Sequence, residues 1–311
     1  MTLRTMSSSI IGIAVLGCLW LRVQGFQLLL EEDCGVAHRI SQRSVDAKLM
    51  QHPWMAYLET PKGYHCAGTL VNHWFVLTAA HCVPDDLQIT VRLGEYNTGT
   101  KLDCVNHRCQ EAHQEYDVDM GFRHKSYNAD NQTNDIGMLR LGRRVEYSLQ
   151  IRPICIFASN RWEELIEKFT WFTATIWRET APNATSKVLQ TIDIERHHPQ
   201  KPSNTDICLE IYGRNTTYGQ MCAGSKMSHL CSSDSGAPQT RIMWHNNSDR
   251  MVQLGIASWA KGKCEDSGIL TDLSSYASWI KRVVRQHGPS ADMDPHMTEG
   301  YDETAEFYNP V

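Results

Sequence analysis

Cysteines constrain the possible folds of this chain more than any other feature of its sequence. Of the 11 cysteines, Cys18 lies in an N-terminal apolar run, and ten follow it: Cys34, Cys66, Cys82, Cys104, Cys109, Cys155, Cys208, Cys222, Cys231 and Cys264. No pair has the Cys-x-x-Cys spacing of a zinc site, so metal binding is the weaker interpretation. An even number of cysteines in an exported chain predicts five disulfides, although the spacing alone leaves the pairing open.

The N-terminus predicts export. Arg4 precedes the mostly apolar residues 10–21, and the small residues Val23 and Gly25 follow. This layout is typical of a secretory signal peptide. A membrane anchor is the alternative, but the apolar run is shorter than the roughly 20 residues that a spanning helix needs. We therefore predict a signal peptide at residues 1–25 and a secreted, extracellular protein without a membrane partner.

The charge distribution excludes a nucleic-acid partner. The net charge is −5, and residues 286–311 contain six acidic residues and no Lys or Arg. The remaining chain is nearly neutral and offers no basic surface for phosphates. The acidic C-terminal segment, with its prolines, is typical of a disordered tail, and we expect a solvated extension rather than a binding tail.

The body of the chain has the pattern of an all-β protein. Ile89, Val91 and Leu93 alternate with polar neighbours, as in a half-buried strand. Short β-rich runs separated by turn residues favour an antiparallel sandwich or barrel. These runs cover residues 68–76, 89–93, 170–177 and 252–259; helical spacing is confined to residues 276–285 and, for a short surface helix, 161–168.

Four Asn-x-Ser/Thr sequons agree with export through the secretory pathway. They begin at Asn131, Asn183, Asn215 and Asn246. Each is a candidate acceptor for an N-linked glycan.

Three segments carry residues with catalytic chemistry. His81 follows an apolar strand and precedes Cys82, Asp135 precedes the apolar residues 136–141, and Ser235 lies in a turn rich in Gly and Pro. Taken singly, each is compatible with a surface His, a turn cap or a loop. Together they supply a base, an orienting carboxylate and a nucleophile, which is the set that acyl transfer to serine requires.

The order His81, Asp135, Ser235 with these flanks resembles the chymotrypsin/trypsin family of secreted serine endopeptidases, most closely in the style of arthropod extracellular cascade proteases. The resemblance extends over residues 39–285. It rests also on Pro53-Trp54, residues 66–70 (Cys-Ala-Gly-Thr-Leu), 222–224 (Cys-Ala-Gly), 255–259 (Gly-Ile-Ala-Ser-Trp), Trp279-Ile280 and, less specifically, residues 152–155.

This resemblance implies an all-β fold of two antiparallel six-stranded β-barrels with a C-terminal helix and a site in the cleft between the barrels. It divides the chain into a propeptide (residues 26–39), a peptidase domain (40–285) and the acidic tail. It also implies the disulfides Cys66–Cys82, Cys208–Cys222, Cys231–Cys264 and Cys34–Cys155, which leave Cys104 and Cys109 to pair with each other.

The resemblance further implies a zymogen. Cleavage between Arg39 and Ile40 would free the amino group of Ile40, which would then pair with Asp234. The active enzyme would use the N–H groups of Ser233 and Ser235 as its oxyanion hole, and Ser258 would help to position Asp135. The implied partners are a protein substrate, an upstream activating protease and serpin-type inhibitors.

Several residues depart from the family pattern. Ser41, Gln42 and Arg43 stand where an aliphatic residue and glycines are usual, and Ser233 replaces an oxyanion-hole glycine. Loss of glycine restricts the backbone. The other replaced glycines are at Ile176, Arg178, Ala237 and Ala260.

The specificity pocket also departs from the family. Its base has His229, where trypsin-like members have aspartate, while Ala260 and Gly268 form its walls. An imidazole does not attract Arg or Lys side chains. We therefore expect a specificity that is not trypsin-like.

Two functions remain open from the sequence. The first is a serine endopeptidase, and the second is a catalytically impaired homologue that acts as a binding or regulatory component of a protease cascade. Neither requires a cofactor. Calcium is possible at the loop containing Glu95, Asp103 and Glu115, although we expect a solvated loop.

Overall fold

Two closed six-stranded antiparallel barrels follow one another along the chain. The computed structural model describes residues 30–36, 47–181, 184–197, 207–224, 230–231, 234–260, 264–265 and 267–289. The strands are β1 (Met55–Thr60), β2 (Gly63–Leu70), β3 (Phe75–Thr78), β4 (Thr90–Leu93), β5 (Cys104–Val105), β6 (Arg108–Cys109), β7 (Gln114–Arg123), β8 (Gly137–Leu141), β9 (Trp171–Ala181), β10 (Ala184–His197), β11 (Gln220–Gly224), β12 (Leu230–Cys231), β13 (Pro238–His245), β14 (Ser248–Trp259), β15 (Cys264–Glu265) and β16 (Ser267–Asp272).

Each barrel is closed by pairing between strands that are distant in sequence. The first has the order β1-β2-β3-β8-β7-β4 and the second β10-β11-β16-β14-β13-β9, while β5-β6 and β12-β15 are separate two-stranded sheets. The fold predicted from the resemblance is confirmed. Closure leaves no free edge strand in either barrel.

Local sequence explains where individual strands begin and end. In β4 the predicted alternation is confirmed, since Val91 and Leu93 are buried and their neighbours are partly exposed. The predicted run over residues 68–76 is wrong as a single strand. Asn72 Oδ1 accepts hydrogen bonds from the N–H groups of Trp74 and Phe75, both at 2.9 Å, and this Asx turn separates β2 from β3.

In the part of the chain that the structure describes, three short helices complete the fold: α1 (Glu163–Ile166), α2 (Ile207–Tyr212) and α3 (Ala277–His287). The predicted surface helix is confirmed as α1 with the 3-10 turn that precedes it, and the predicted C-terminal helix as α3. Ile280, Val283 and Val284 form the buried face of α3. The carbonyl of His287 accepts a hydrogen bond from Arg140 Nη1 at 3.0 Å, so this helix packs back onto the first barrel.

Four of the five predicted disulfides are confirmed: Cys34–Cys155, Cys66–Cys82, Cys104–Cys109 and Cys208–Cys222. The backbones of Cys231 and Cys264 are partners in the β12–β15 sheet, while their side chains lie outside the described part of the structure. The bridge at Cys34 fastens residues 30–36 to the second barrel. Gly35 sits against β14 at φ +66°, where a Cβ atom would lie 2.5 Å from the carbonyl oxygen of Met251.

Other sequence predictions fall outside the described residues. These are the signal peptide, the bond between Arg39 and Ile40, and residues 290–311 of the acidic tail. Within the described ranges, no helix combines the length and apolar character that crossing a membrane would require.

A buried histidine predicts acid sensitivity of the fold. His52 is 7% exposed, and its Nδ1 lies 3.3 Å from Thr175 Oγ1. Burial lowers the pKa of His52 to about 3, from 6.5. Because the unfolded chain binds this proton at a higher pH than the folded one, stability is lost as pH falls below 6.5. We expect a loss of about 2 kcal/mol between pH 7.5 and pH 5 from this residue.

Urea unfolding of wild type and His52→Gln at both pH values measures this contribution. His52→Gln should flatten the pH dependence below 6.5. The matched control is His107→Gln, which removes an exposed imidazole in the turn between β5 and β6. Equal pH dependence in wild type and His52→Gln would contradict the prediction.

Candidate active site

His81 is held at the end of β3 by a short turn and a disulfide. Thr78 ends the strand, and the 3-10 turn Ala80–Cys82 carries His81 at its centre. Ala80 and Cys82 are buried in this turn, while the His81 side chain remains 27% exposed. The turn therefore fixes the backbone of His81 and leaves its imidazole accessible.

Asp135 is fully buried and is bound to His81 through both carboxylate oxygens. Oδ1 accepts the backbone N–H of His81 at 3.0 Å, and Oδ2 lies 2.8 Å from His81 Nδ1. A carboxylate can only accept here, so Nδ1 carries the proton and donates it. The tautomer that results leaves Nε2 of His81 with a free lone pair, as a general base requires.

The second barrel completes the environment of Asp135. Ser258 in β14 donates its hydroxyl to Oδ2 at 2.5 Å, as the resemblance implied. Thr271 in β16 donates its hydroxyl to the carbonyl oxygen of Asp135 at 2.7 Å. Asp135 is thus fixed by two hydroxyl groups from the second barrel, its carboxylate by Ser258 and its backbone carbonyl by Thr271.

Asn134 and Tyr276 add a support that the sequence analysis missed, as it also missed Thr271. Asn134 adopts φ +55°, and its Oδ1 accepts the hydroxyl of Tyr276 at 3.1 Å. Burial, followed by the nearby Tyr218, Asp272 and Asp135, raises the pKa of the Tyr276 hydroxyl, which therefore stays protonated and donates. Asparagine next to the candidate aspartate was the available signal, because Asn tolerates positive φ.

Ser235 lies in a turn that is bonded to both barrels. Its carbonyl oxygen accepts the N–H of Ala67 in β2 at 2.9 Å, and the N–H of Gly236 donates to Ala257 in β14 at 2.8 Å. Gly236 has φ +78°, and a Cβ atom there would lie 2.0 Å from the carbonyl oxygen of Ala67. Glycine is therefore required at this position for the turn to reach β2.

The three candidate residues lie at one junction between the barrels. Ala67 adjoins Cys66, whose Sγ lies within 4.8 Å of a His81 ring nitrogen. Ala257, which binds the Ser235 turn, adjoins Ser258, which binds Asp135. Cys66 and Cys82 are bonded to each other, so these sulfurs are not thiolate metal ligands.

A small pocket opens beside Ser235. It is lined by Ser235 together with Ala257, Ser258, Trp259, Ala260, Ile269 and Leu270. Ala260 therefore borders this pocket, and Gly268 lies next to its wall in β16. Their role in specificity stays a prediction. Ser233 and His229 lie outside the described residues, so their roles stay predictions.

Asp234 is 1% exposed and precedes Ser235. Its charge contributes, after burial, to raising the pKa of the Tyr64 hydroxyl. Ala237, the next departure from the family pattern, is fully buried, and its N–H donates to the Asp234 carbonyl at 2.9 Å. The pairing of Asp234 with Ile40 stays a prediction.

The carboxylates suggested for calcium contact other groups of the protein. Glu95 Oε2 lies 3.0 Å from His113 Nδ1, and His113 Nε2 lies 3.4 Å from Glu115 Oε1. The imidazole of His113 therefore lies between the two glutamates, and calcium binding at this loop stays a prediction. The Asp103 carboxylate already accepts hydrogen bonds from Asn97 N, Thr100 Oγ1 and Gln110 Nε2.

Three predicted glycosylation sites lie on the surface. Asn131, Asn215 and Asn246 are exposed, and Asn183 lies outside the described residues. Glycosylation at all four stays a prediction.

Comparisons with known proteins agree with the family suggested by the sequence. The model of the trypsin family matches residues 42–280. Melanization protease 1 of Drosophila melanogaster is 33% identical over an alignment of 258 residues, and the match covers 76% of this chain and 63% of that protein. The CLIP domain-containing serine protease HP8 of Bombyx mori is 30% identical over 82% of this chain and 73% of its own length.

A solved structure supports the same conclusion. The crystal structure of the Drosophila Grass clip serine protease of the Toll pathway superposes with a TM-score of 0.72 and 27% identity. The match covers 83% of this chain and 76% of that one. The chain thus spans less than two thirds of the length of Melanization protease 1, and more of the other two relatives.

Proposed function

Because the chain belongs to the trypsin family, we propose that it is a secreted serine endopeptidase that becomes active after cleavage between Arg39 and Ile40. The observation that carries the proposal is the continuous hydrogen-bonded arrangement Ser258–Asp135–His81 next to the turn of Ser235. A buried carboxylate that fixes the imidazole tautomer is what activation of a serine hydroxyl needs.

The proposed reaction proceeds in two halves. The Ser235 hydroxyl attacks the carbonyl carbon of the substrate peptide, and its proton passes to Nε2 of His81. The imidazolium then gives this proton to the leaving amine as the C–N bond breaks, which leaves an acyl ester on Ser235. His81 then takes a proton from water as the water oxygen attacks the ester carbonyl. His81 returns this proton to the Ser235 oxygen as the ester bond breaks. Asp135 orients His81 and stabilises its cation throughout.

The developing oxyanion would be held by the N–H groups of Ser233 and Ser235. A serine in place of glycine at residue 233 retains its N–H, but its backbone is more restricted. If the Ser233 amide points away, the lost donor lowers the rate by about 10²–10³. Ser233 is therefore the departure with the largest consequence for activity.

The substrate of this enzyme would be a protein, and the activating enzyme an upstream protease of the same cascade. This proposal is supported by the relatives, which are named as melanization and CLIP-domain serine proteases. The partners would include serpin-type inhibitors, and the location would be extracellular. With His229 at the base of the pocket, we expect cleavage after residues other than Arg and Lys.

The second candidate is an impaired homologue that binds other components of a cascade. Departures at Ser233, Ala237, Ala260 and the residues after Ile40 favour it, because they alter the oxyanion hole, the pocket and the activation terminus. In that case the Asp135–His81 pair would be retained without turnover.

A fluorophosphonate probe tests the proposal directly. Protein cleaved after Arg39 should react covalently at Ser235, and the labelled peptide should be identified by mass spectrometry. Ser235→Ala should not react, and uncleaved protein should react far more slowly. Absence of labelling in cleaved, folded protein would contradict the endopeptidase and favour the binding homologue.

A further inference from the structure

Arg214 lies at the rim of the pocket that contains Ser235. Its guanidinium carbon is 5.9 Å from the ring centroid of Trp259, which lines that pocket. Trp259 is 37% exposed, and the ring of Tyr212 also lies beside it, with the two ring centroids 4.7 Å apart. A cation therefore stands beside a partly open aromatic surface next to the candidate nucleophile.

Two hydrogen bonds hold this guanidinium in place. Nη2 of Arg214 donates to the carbonyl oxygen of Asn131 at 2.6 Å, and Nη1 donates to Gln220 Oε1 at 3.2 Å. Gln220 is itself fixed, because its Oε1 accepts from Thr217 and its Nε2 donates to the carbonyl of Gln132 at 2.9 Å. Asn131 and Gln132 belong to the loop that leads to Asp135, so Arg214 is positioned relative to the catalytic pair.

Both acceptors of Arg214 are uncharged. Across the described part of the chain, no carboxylate forms an ion pair with Arg214. Five other arginines there do have an acidic partner: Arg92, Arg123, Arg140, Arg144 and Arg196. A guanidinium has five N–H donors in a planar fork that matches a carboxylate. The indole of Trp259 limits the access of water, which would strengthen an ion pair between Arg214 and a carboxylate.

We propose that Arg214 binds an acidic side chain of the peptide that occupies this groove, and so selects substrates with Asp or Glu within a few residues of the cleaved bond. The proposal rests on the proposed function for the cleavage itself. The preference for an acidic peptide also holds if the chain only binds, because it needs the groove and Arg214 but no turnover.

The test measures peptide binding to Ser235→Ala, which cannot hydrolyse its ligand. Asn215 adjoins Arg214 and belongs to a sequon, so every protein also carries Asn215→Gln. Fluorescein-labelled nonapeptides that differ at one position, Glu against Gln, are compared by fluorescence anisotropy, with the position moved along the peptide. We expect about tenfold tighter binding of the Glu peptide at one position, and a smaller difference in high salt.

Arg214→Gln should reduce the Glu/Gln ratio to about one, and Arg214→Glu should favour Lys at that position instead. The matched control is Arg241→Gln, because Arg241 also lies over an aromatic ring, Phe169 at 4.6 Å, and bonds to a backbone carbonyl in another part of the second barrel. This control should retain the wild-type ratio.

The outcomes separate this inference from the proposed function. Equal binding of Glu and Gln peptides at every position, or no binding at all, overturns the role of Arg214. Tight Glu binding by Ser235→Ala, together with no fluorophosphonate labelling of the cleaved protein that retains Ser235, supports Arg214 and contradicts the endopeptidase. Hydrolysis by the protein that retains Ser235, without a preference for Glu, supports the endopeptidase and overturns the role of Arg214.

Discussion

Replacing Asp135 by asparagine is expected to lower kcat by about four orders of magnitude while the fold remains intact. Asn has the shape of Asp, and its Oδ1 can still accept the N–H of His81, now 3.0 Å away. Its Nδ2 would replace the oxygen that lies 2.8 Å from His81 Nδ1. Since an amide nitrogen donates, Nδ1 would become the acceptor and the proton would move to Nε2, which could then no longer accept the proton of Ser235.

The measurement is hydrolysis of a peptide ester by wild type and Asp135→Asn, both cleaved after Arg39, with thermal unfolding as a check of the fold. KM should change little, because Asp135 is buried and does not reach the groove. Asp119→Asn is the matched control, since Asp119 is an exposed partner of Arg140 on the first barrel. A kcat within tenfold of wild type would show that Asp135 does not set the tautomer.

The candidate residues could be predicted because each is marked by its neighbours in sequence. His81 precedes a cysteine, Asp135 follows an asparagine and enters an apolar strand, and Ser235 lies in a Gly/Pro turn. Their supports carry no such mark. Thr271 bonds to a residue 136 positions earlier in the chain, and a threonine in a buried strand is ordinary.

Periodicity alone could not decide between a sandwich and a barrel. Which of the two folds forms depends on pairing between strands that are far apart in the sequence, such as β1 with β4 and β3 with β8. The barrels and the disulfide pairs were predicted only through the resemblance. His113 between Glu95 and Glu115 could not be foreseen, because acidic residues near a loop are equally compatible with a calcium ion and with an imidazole.

Gly236→Ala is expected to have the largest effect on the structure around Ser235. The new Cβ would lie 2.0 Å from the carbonyl oxygen of Ala67 and 2.4 Å from Thr78 Oγ1. Neither can easily withdraw, because Thr78 Oγ1 donates to that carbonyl at 2.8 Å and the N–H of Ala67 binds the Ser235 carbonyl. Backbone strain at positive φ and overpacking together should destabilise the fold by about 4 kcal/mol.

Urea unfolding and fluorophosphonate labelling of Gly236→Ala test this expectation. The free energy of unfolding and the rate of labelling should fall together, because the turn that presents Ser235 must move. Gly213→Ala separates strain from steric overlap: Gly213 has φ +69°, yet no atom lies within 4 Å of the Cβ position. This control should cost only about 1 kcal/mol and retain labelling. If the two variants lose equal stability, backbone strain alone accounts for the loss, and the close contact with β2 does not fix the position of Ser235.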